Sequence, residues 1–462
     1  MCLAAALVGA CARGSVDVYV TTADAARLLA REDNLRFRSP AHDTSVATIT
    51  VDERRAYQEM IGFGAALTDA SAWLIQHRLA PAQRDSLLRD LFGPDPGAGF
   101  SFVRIDMGAS DFALHQYSYD DVPIGQRDST LAHFSIAPDT AETIPLLRRA
   151  LAINPQLKVL ASPWSAPAWM KTSRSMIRGT LRPDAYDAYA EYFRRFVSDY
   201  AARGVPIFAI TVQNEPHFEP ADYPGMRLEP AARAEFIGRH LGPLLARTHA
   251  ETRILDWDHN WDDPKSPLAV LADSNARKYV SGVAWHCYAG DVSAQTTVHD
   301  AFPDKDAYFT ECSGGDWAPK FADNLSWMVR TLIIGATRNW ARGVLLWNLA
   351  LDTARGPHLG GCGNCRGVVT IDPRHGFIVR NEEYYALAHA SRFVKPGAHR
   401  IESNIVDKLD NVAFQNTDGS RVLIVLNGDS REHRFAVRDS RMGDRTFRYH
   451  LPGGAVATFR WR

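Results

Sequence analysis

Two glutamates in similar settings are the residues of this chain whose type and spacing could do chemistry together. Glu215 follows Phe-Ala-Ile-Thr-Val-Gln-Asn, and Glu311 follows Ala-Tyr-Phe-Thr. Each run is rich in β-branched and aromatic residues, which is typical of a buried strand. In a barrel of parallel strands, side chains at the C-terminal strand ends point into one active-site mouth. Two carboxylates meeting there suit glycoside hydrolysis, which needs a proton donor and a nucleophile or base.

The strands that would carry these glutamates alternate with helices along the chain. One helical segment, Asp184 to Arg203, carries apolar or aromatic residues at a 3–4 spacing. Counted from Ile61, eight strand candidates occur at 61–67, 100–105, 157–161, 208–215, 253–257, 279–286, 307–311 and 343–347. Alternation implies a parallel sheet, and eight units predict an α/β fold with a closed (β/α)8 barrel. Glu215 then ends the fourth strand and Glu311 the seventh.

The two ends of the chain have a different pattern. Short alternating runs without intervening helices occur at 16–21 and 46–51, and again at 412–415, 421–426, 434–437 and 455–461. Such runs predict antiparallel strands. We therefore expect three parts: residues 1–15 as a leader or disordered tail, residues 16–58 with 396–462 as a β-sandwich, and residues 59–395 as a catalytic barrel.

Composition removes several classes of partner. The chain has 462 residues, 46% hydrophobic and 23% charged, which suits a large globular domain with a smaller one. Lys and Arg number 52 against 53 Asp and Glu. No basic excess exists to neutralise phosphates, so a nucleic-acid partner is not expected. No stretch reaches eighteen apolar residues, so a membrane span is not expected either.

The N-terminal segment favours export from a bacterial cell. Residues 1–12 are small and apolar, with no Lys or Arg before Arg13, like the end of a secretory signal. Val8-Gly-Ala-Cys11 also looks like a lipoprotein cleavage box, so Cys11 is a possible lipid anchor. A disordered tail is the alternative.

The cysteines leave their pairing open. Cys362-Gly-Asn-Cys365 has the spacing of a local disulfide, with free thiols or a metal pair as alternatives. Cys287 and Cys312 are expected to be small buried side chains. Residues 256–260, Asp-Trp-Asp-His-Asn, resemble the start of a calcium loop, but Trp261 replaces the required glycine. No cofactor and no metal are expected; a metal-dependent hydrolase using Asp256, Asp258 and His286 is the alternative.

Four segments of the chain are distinctive when taken together: Gly62-Phe-Gly-Ala-Ala-Leu-Thr-Asp69, Ser162-Pro-Trp-Ser-Ala-Pro-Ala-Trp169, Asn214-Glu-Pro216 and Trp347-Asn-Leu-Ala-Leu351. In this combination they resemble glycoside hydrolase family 30. The resemblance runs in order from about residue 16 to the end. It implies a (β/α)8 barrel with a β-sandwich built from both chain ends, and hydrolysis of β-glycosides with retention.

The resemblance also implies roles for the two acids and their neighbours. Glu215 resembles the acid/base and Glu311 the nucleophile. Arg104 resembles the arginine that keeps the nucleophile ionised. We expect the pKa of Glu215 to be raised by the charge of Glu311 and a partly apolar pocket. His286 and Tyr288 match a pair at the end of the sixth strand, close to the nucleophile.

Further residues resemble the family's sugar contacts. Asn214 resembles the residue that bonds the 2-hydroxyl. Asp111 and Trp164 resemble contacts to the outer hydroxyls. Trp347 is similar to the aromatic floor of the sugar site, and Trp317 is expected on the leaving-group side.

The expected activity is hydrolysis of β-glucosidic bonds by double displacement, of the glucosylceramidase type. The substrate would be a glycolipid or an oligo- or polysaccharide. The loops at 310–317 and 352–366 depart from the glucosylceramidase pattern on the leaving-group side. An endo- or exo-β-1,6-glucanase, or another β-glycosidase such as a β-xylosidase, is therefore the alternative. A catalytically inactive carbohydrate-binding protein is a more remote one.

Overall fold

A closed barrel of eight parallel strands forms the centre of the molecule, as the alternation of strands and helices predicts. The computed structural model describes residues 14–39 and 46–462. Each barrel strand pairs in parallel with its neighbours, and the last pairs with the first. The barrel strands are β4 (Gly62–Ala66), β5 (Phe102–Asp106), β6 (Lys158–Ser162), β7 (Ile207–Thr211), β8 (Arg253–Asn260), β9 (Val280–His286), β10 (Asp306–Glu311) and β12 (Ala341–Leu346).

Helices follow the barrel strands and cover their outer face. A π-helical segment joins α5 to α6, and another joins α10 to α11. The helices are α1 (Asp69–His77), α2 (Pro81–Phe92), α3 (Thr143–Ile153), α4 (Tyr186–Ala202), α5 (Pro230–Glu235), α6 (Gly242–Thr248), α7 (Lys265–Ala272), α8 (Ser274–Arg277), α9 (Ala294–Ala301), α10 (Phe321–Met328), α11 (Ala336–Arg338) and α12 (Glu382–Ser391).

The helix predicted at 184–203 shows why its sequence packs on the barrel. It begins at Tyr186, just after a 3-10 turn at Pro183–Ala185, and runs to Ala202. All five apolar or aromatic side chains that predicted it are buried: Tyr189, Tyr192, Phe193, Phe196 and Val197. Their 3–4 spacing forms one stripe against the barrel wall.

The first barrel strand explains the Gly62-Phe-Gly64 motif. A Cβ on Gly64 would lie 1.9 Å from the carbonyl oxygen of Phe102, so only glycine allows this close approach to β5. At the end of the motif, Thr68 caps α1 by accepting a hydrogen bond from the backbone N–H of Ser71 at 3.2 Å. The motif therefore makes a tight strand-to-helix junction at the barrel mouth.

Strands from both chain ends share one nine-stranded sheet beside the barrel. Its order is β2-β1-β22-β19-β18-β17-β3-β20-β21, with β20 and β3 the parallel pair. The strands are β1 (Ser15–Thr21), β2 (Ala30–Arg36), β3 (Ala47–Glu59), β17 (His399–Ser403), β18 (Leu409–Gln415), β19 (Arg421–Asn427), β20 (His433–Asp439), β21 (Thr446–Leu451) and β22 (Val456–Trp461). The ring centroids of Phe447 in β21 and Phe459 in β22 lie 5.2 Å apart, although these strands are distant in the strand order. The sheet therefore folds over a shared core.

Short strands form in the loops at the barrel mouth. β11 (Gly314–Gly315) pairs with β14 (Cys365–Arg366). The remaining sheet joins β13 (Ala350–Asp352), β15 (Val369–Ile371) and β16 (Ile378–Arg380).

The described residues include no helix that is both long and apolar enough to cross a membrane. The predicted leader segment, with the lipid-anchor candidate Cys11, lies outside the described residues.

Candidate active site

The two glutamates meet in one cleft at the C-terminal end of the barrel. Glu311 is the last residue of β10, and Glu215 lies four positions beyond β7 in a left-handed backbone conformation, with φ at 47°. Nδ1 of His286 is 3.3 Å from Oε1 of Glu215 and 3.8 Å from Oε1 of Glu311. The two carboxylate oxygens therefore lie at most about 7 Å apart, the sum of those distances.

Arg104 forms a buried ion pair with the carboxylate of Glu311. Arg104 lies in the middle of β5, is fully buried and donates to Oε2 of Glu311 through Nη1. Its Nη2 donates to Oδ1 of Asn214 at 2.7 Å, and Tyr288 donates its hydroxyl to Oε1 of Glu311 at 2.9 Å. A charged and a neutral donor thus hold the Glu311 carboxylate in one orientation, which an attacking nucleophile requires.

Asp258, which the sequence suggested only as a ligand in the metal alternative, is a buried member of this site. Its Oδ2 accepts from Arg104 at 2.8 Å and from Ser162 and Thr211; its Oδ1 accepts from Thr310 at 2.7 Å. Burial by itself would raise the pKa of Asp258, but Arg104 and His286 lower it well below its usual range. The carboxylate is thus a permanent negative charge behind the two glutamates.

A bulge in β8 places Asp258 there. The register with β9 shifts between Trp257 and His259, and Trp257 and Asp258 both have positive φ. A bulge turns a side chain away from its regular alternation. Asp258 directly follows the fifth strand candidate, 253–257, and this position at a strand end was the one sequence signal that pointed to the barrel mouth.

His286 sits between the acidic groups at the end of β9. Its Nε2 is 3.0 Å from Oδ1 of Asp258, while its Nδ1 faces Glu215. Burial lowers the pKa of this imidazole, but the charge of Glu311 and the bonds to Asp258 and Glu215 outweigh burial and raise it to about 9. His286 therefore carries a proton at neutral pH.

The pKa of Glu215 differs from the expectation. Burial raises it, but hydrogen bonds and positive charge from His259 and His286 lower it more strongly, to about 2. The expectation counted Glu311 and an apolar pocket, and it left out both histidines. His259 Nδ1 lies 3.5 Å from Oε1 of Glu215. In the free protein, the proton that an acid catalyst needs is held on His286 beside Glu215.

The predicted sugar contacts lie together on one side of the cleft. The rings of Trp164 and Trp347 stack with centroids 5.1 Å apart, and the guanidinium of Arg104 lies 4.8 Å from the Trp164 ring. Asp111 and Asn214 also line the cleft, which has a volume of about 500 Å³. Burial, with the charges of Glu311 and Glu215, raises the pKa of Asp111 well above its usual range. An apolar floor with few convergent polar groups suits a sugar ring.

The rest of the cleft lining comes mainly from loops. Trp317 and Tyr288 line the cleft, and the loop after β7 contributes Phe218, Asp222 and Tyr223, which sequence reasoning did not single out. Such loop residues carry no periodic signal, so only their place after the fourth strand could have pointed to them. A larger depression of about 810 Å³ on the outer helices has no aromatic lining, so the chemistry lies at the barrel mouth.

Two disulfides border the cleft. Cys362 and Cys365 are bonded to each other, and both line the cleft. Cys287 and Cys312, expected to be small buried side chains, are bonded to each other as well, a pairing that the sequence did not predict. They follow His286 and Glu311 directly, on neighbouring strands β9 and β10, and this adjacency brings the two sulfurs together.

Among the described residues, Glu215, His259 and His286 form the one group whose ligand atoms lie close enough for a metal ion, within 4.8 Å of one another. His286 presents both nitrogens to carboxylates, and a protonated imidazole has no lone pair for a metal. In the alternative metal set, Asp256 is paired with Arg233 at 2.8 Å and Asp258 with Arg104. The arrangement thus favours a proton over a metal ion.

Comparisons with known proteins show which family the chain resembles. Residues 60–394 match the glycosyl hydrolase family 30 TIM-barrel domain, and residues 397–459 match the family 30 beta sandwich domain. The chain is 36% identical over 405 residues to an endo-1,6-beta-D-glucanase of Neurospora crassa, covering 82% of this chain and 81% of the relative. It is 30% identical to the lysosomal acid glucosylceramidase of Mus musculus, covering 90% and 83%.

A solved structure of an endo-beta1,6-glucanase superposes on it with a TM-score of 0.89 and 34% identity, covering 97% of this chain and 99% of the other. Fold, sequence and the paired glutamates of the cleft therefore agree: the chain belongs to glycoside hydrolase family 30 and is an O-glycosyl hydrolase.

Proposed function

We propose that this protein is a retaining endo-β-1,6-glucanase. The observation that carries the chemistry is the pairing of Glu311, in contact with Arg104, with Glu215 across one cleft. Retaining enzymes hold two carboxyl groups about 5 to 5.5 Å apart. This separation is compatible with the two contacts of His286 Nδ1, 3.3 Å to Glu215 and 3.8 Å to Glu311, which keep the two carboxylates close together. The relatives support the linkage, since the endo-1,6-glucanases are 36% and 34% identical and the glucosylceramidase is 30% identical. From the sequence, a glucosylceramidase-type activity was expected first and a β-1,6-glucanase was the alternative. The identities to the relatives favour the alternative.

The reaction proceeds in two displacements. Glu311 forms a bond to the anomeric carbon as the glycosidic C–O bond breaks, and the leaving oxygen takes a proton from Glu215. Glu215 then removes a proton from water, which attacks the anomeric carbon and releases Glu311 as a carboxylate. The product keeps the β configuration.

His286 supplies the proton for the first displacement in this scheme. The negative charge of Glu311 is the first contribution that raises the pKa of His286. That charge disappears as the bond to the sugar forms. The imidazolium becomes more acidic at the same moment, so its proton moves along the 3.3 Å contact to Glu215. In the second displacement, the proton that Glu215 takes from water passes back to His286 along the same contact, which restores the starting state.

A substrate panel with anomer detection tests the proposal. We expect linear β-1,6-glucan to be cut internally, with the β anomer formed first in NMR spectra. Aryl β-glucoside should be cleaved slowly, and glucosylceramide and aryl β-xyloside more slowly still. First formation of the α anomer would refute retention. Faster turnover of glucosylceramide than of β-1,6-glucan would refute the glucanase assignment. Loss of activity in a chelator would favour a metal ion held by Glu215, His259 and His286.

We further propose that the protein is exported, with Cys11 as the candidate lipid anchor. The two disulfides support export, because such bonds are rare in proteins of a reducing cytosol. Cell fractionation tests location, and labelling with a radioactive fatty acid tests the anchor. Recovery in the cytosol would contradict export, and an unlabelled mature protein would contradict lipidation.

A further inference from the structure

We propose that a second sugar-binding site adjoins the catalytic cleft and holds glucose units of the same β-glucan chain, beyond the units at the cleaved bond. This inference rests on the proposed glucanase function. The site is a cavity of about 440 Å³ between the loop after β10 and helix α10. We call it the side cavity; its aromatic and acidic members are Tyr288, Trp317, Asp323 and Trp327.

The side cavity is continuous with the catalytic cleft. Tyr288 and Trp317 line both, and Tyr288 also donates a hydrogen bond to Glu311. Trp164 and Trp347, the floor of the cleft, do not line the side cavity. A chain that leaves the cleft past Tyr288 and Trp317 therefore enters it. An enzyme that cuts inside a chain has to hold units on both sides of the cleaved bond.

The aromatic side chains of the side cavity are unusually exposed. Tyr288 is 46% exposed, Trp317 54% and Trp327 42%. Among the described residues, both exposed tryptophans line this one cavity. Clustered exposed apolar surface marks a binding site, because leaving it in water costs free energy. Flat rings with a polar edge suit the apolar faces of sugars.

Helix α10 places an acceptor beside one of these rings. Asp323 and Trp327 are four residues apart on α10, so they lie on the same helix face, one turn from each other. The carboxylate of Asp323 is exposed. A ring that covers a sugar face, with a carboxylate that accepts from its hydroxyls, is a complete arrangement for one pyranose unit.

The lining favours a sugar over a lipid tail. The other lining residues are Cys287, Cys312, Ser313, Ala318 and Asn324, so no Leu, Ile, Val, Met or Phe contributes. An acyl chain would need aliphatic walls. The disulfide between Cys287 and Cys312 forms part of one wall, and the Trp317 ring is packed against Gly315, where a Cβ would lie 2.1 Å from it. A preformed wall lowers the ordering cost of binding.

Substitution of Trp327 tests the site, with aryl β-glucoside as a reference that reaches only the catalytic cleft. For Trp327→Ala, the ratio of kcat/KM on long β-1,6-glucan to kcat/KM on aryl β-glucoside should fall roughly tenfold, the loss of one stacking contact. Asp323→Asn should lower the same ratio less. Trp327→Tyr should restore most of it, because a tyrosine ring can still stack.

Phe377→Ala is the matched control, since Phe377 is 67% exposed and lines neither the cleft nor the side cavity. An unchanged ratio in Trp327→Ala, with glucan still cleaved by the wild type, overturns the side cavity alone. A wild type that cleaves aryl β-glucoside but no β-1,6-glucan overturns the proposed function and the inference with it. A selective loss on glucosylceramide in Trp327→Ala would assign the cavity to a lipid tail and also overturn the inference.

Discussion

Single residues set the charge balance of the cleft. Three acidic side chains, Glu215, Asp258 and Glu311, surround two cations, Arg104 and His286. Asp258 is permanently ionised, so its negative charge balances the positive charge of one of the two cations. The positive charge of the other cation is left to interact with Glu215 and Glu311. One proton thus stays on His286 beside Glu215, within reach of the leaving oxygen.

The role of Glu215 predicts a dependence on the leaving group. Glu215→Gln should lower kcat/KM on β-1,6-glucan by about 10²- to 10⁴-fold, because the departing sugar oxygen needs a proton. A dinitrophenyl β-glucoside should retain most of its rate in the first displacement, since its leaving group departs without one. Glu311→Gln is the control and should abolish turnover of both. An equal loss on both substrates in Glu215→Gln would contradict the assigned role.

The raised pKa of His286 predicts a pH profile. The protonated pair of His286 and Glu215 is the active form, so kcat/KM should fall as pH rises through about 9. In His286→Gln the proton resides on Glu215 alone, and the alkaline limb should move to a different, lower pH. Profiles of kcat/KM from pH 4 to 10 on β-1,6-glucan, whose leaving group needs the proton, measure this. An alkaline limb at the same pH in His286→Gln and in the wild type would refute the shared proton.

Secondary-structure elements bring these residues within reach of one another. Glu311 pairs with His286 in the register of β10 and β9, so the nucleophile and the histidine are neighbours at two strand ends. β11 and β14 then join the loops after β10 and β12, and Arg355 adds an ion pair to Asp316 at 2.7 Å. The loops after β10 and β12 therefore form one braced unit beside the cleft.

The disulfide after these strand ends predicts sensitivity to reduction. Cys287→Ala with Cys312→Ala should lower kcat on aryl β-glucoside by about ten- to a hundredfold, because small displacements of catalytic groups are costly. Wild-type enzyme treated with dithiothreitol should lose activity in parallel with free thiol formation at these positions. Cys362→Ala with Cys365→Ala is the control and should affect KM on glucan more than kcat. Full kcat in the first pair would exclude a positioning role.

At the scale of the molecule, the nine-stranded sheet is fastened to the barrel through a buried histidine. His389 of α12 lies 2.8 Å from Thr458 through Nδ1 and 2.8 Å from Thr21 through Nε2. Thr21 ends β1 and Thr458 lies in β22, so one side chain joins the barrel to strands from both chain ends. Burial lowers the pKa of His389 to about 3.

This predicts a loss of stability in mild acid. The folded pKa of His389 is depressed below 6.5, so its contribution is fully present above pH 6.5 and is lost as pH falls toward about 3. The free energy of unfolding should fall by up to about 1.4 kcal/mol per pH unit in this window from this group. Urea unfolding of wild type and His389→Gln at several pH values measures it. Equal pH slopes in the two proteins would contradict the prediction.

Much of the architecture could be predicted because it rests on local patterns. The five apolar or aromatic side chains of α4 are buried as their 3–4 spacing required, and the eight barrel strands occur near the predicted positions. The paired glutamates could be recognised because each follows a strand-like run. The chain's own residues thus specify the barrel, the place of both acids at its mouth and the chemical class of the reaction.

Long-range contacts decided the rest. The bulge at Asp258, the partner of Cys312 and the two histidines that lower the pKa of Glu215 involve residues from different strands. A linear pattern records the spacing of neighbours along one element, whereas a charge or a sulfur acts on whatever folding places within a few ångströms. The protonation of the site and the shape of its leaving-group side are therefore properties of the folded chain.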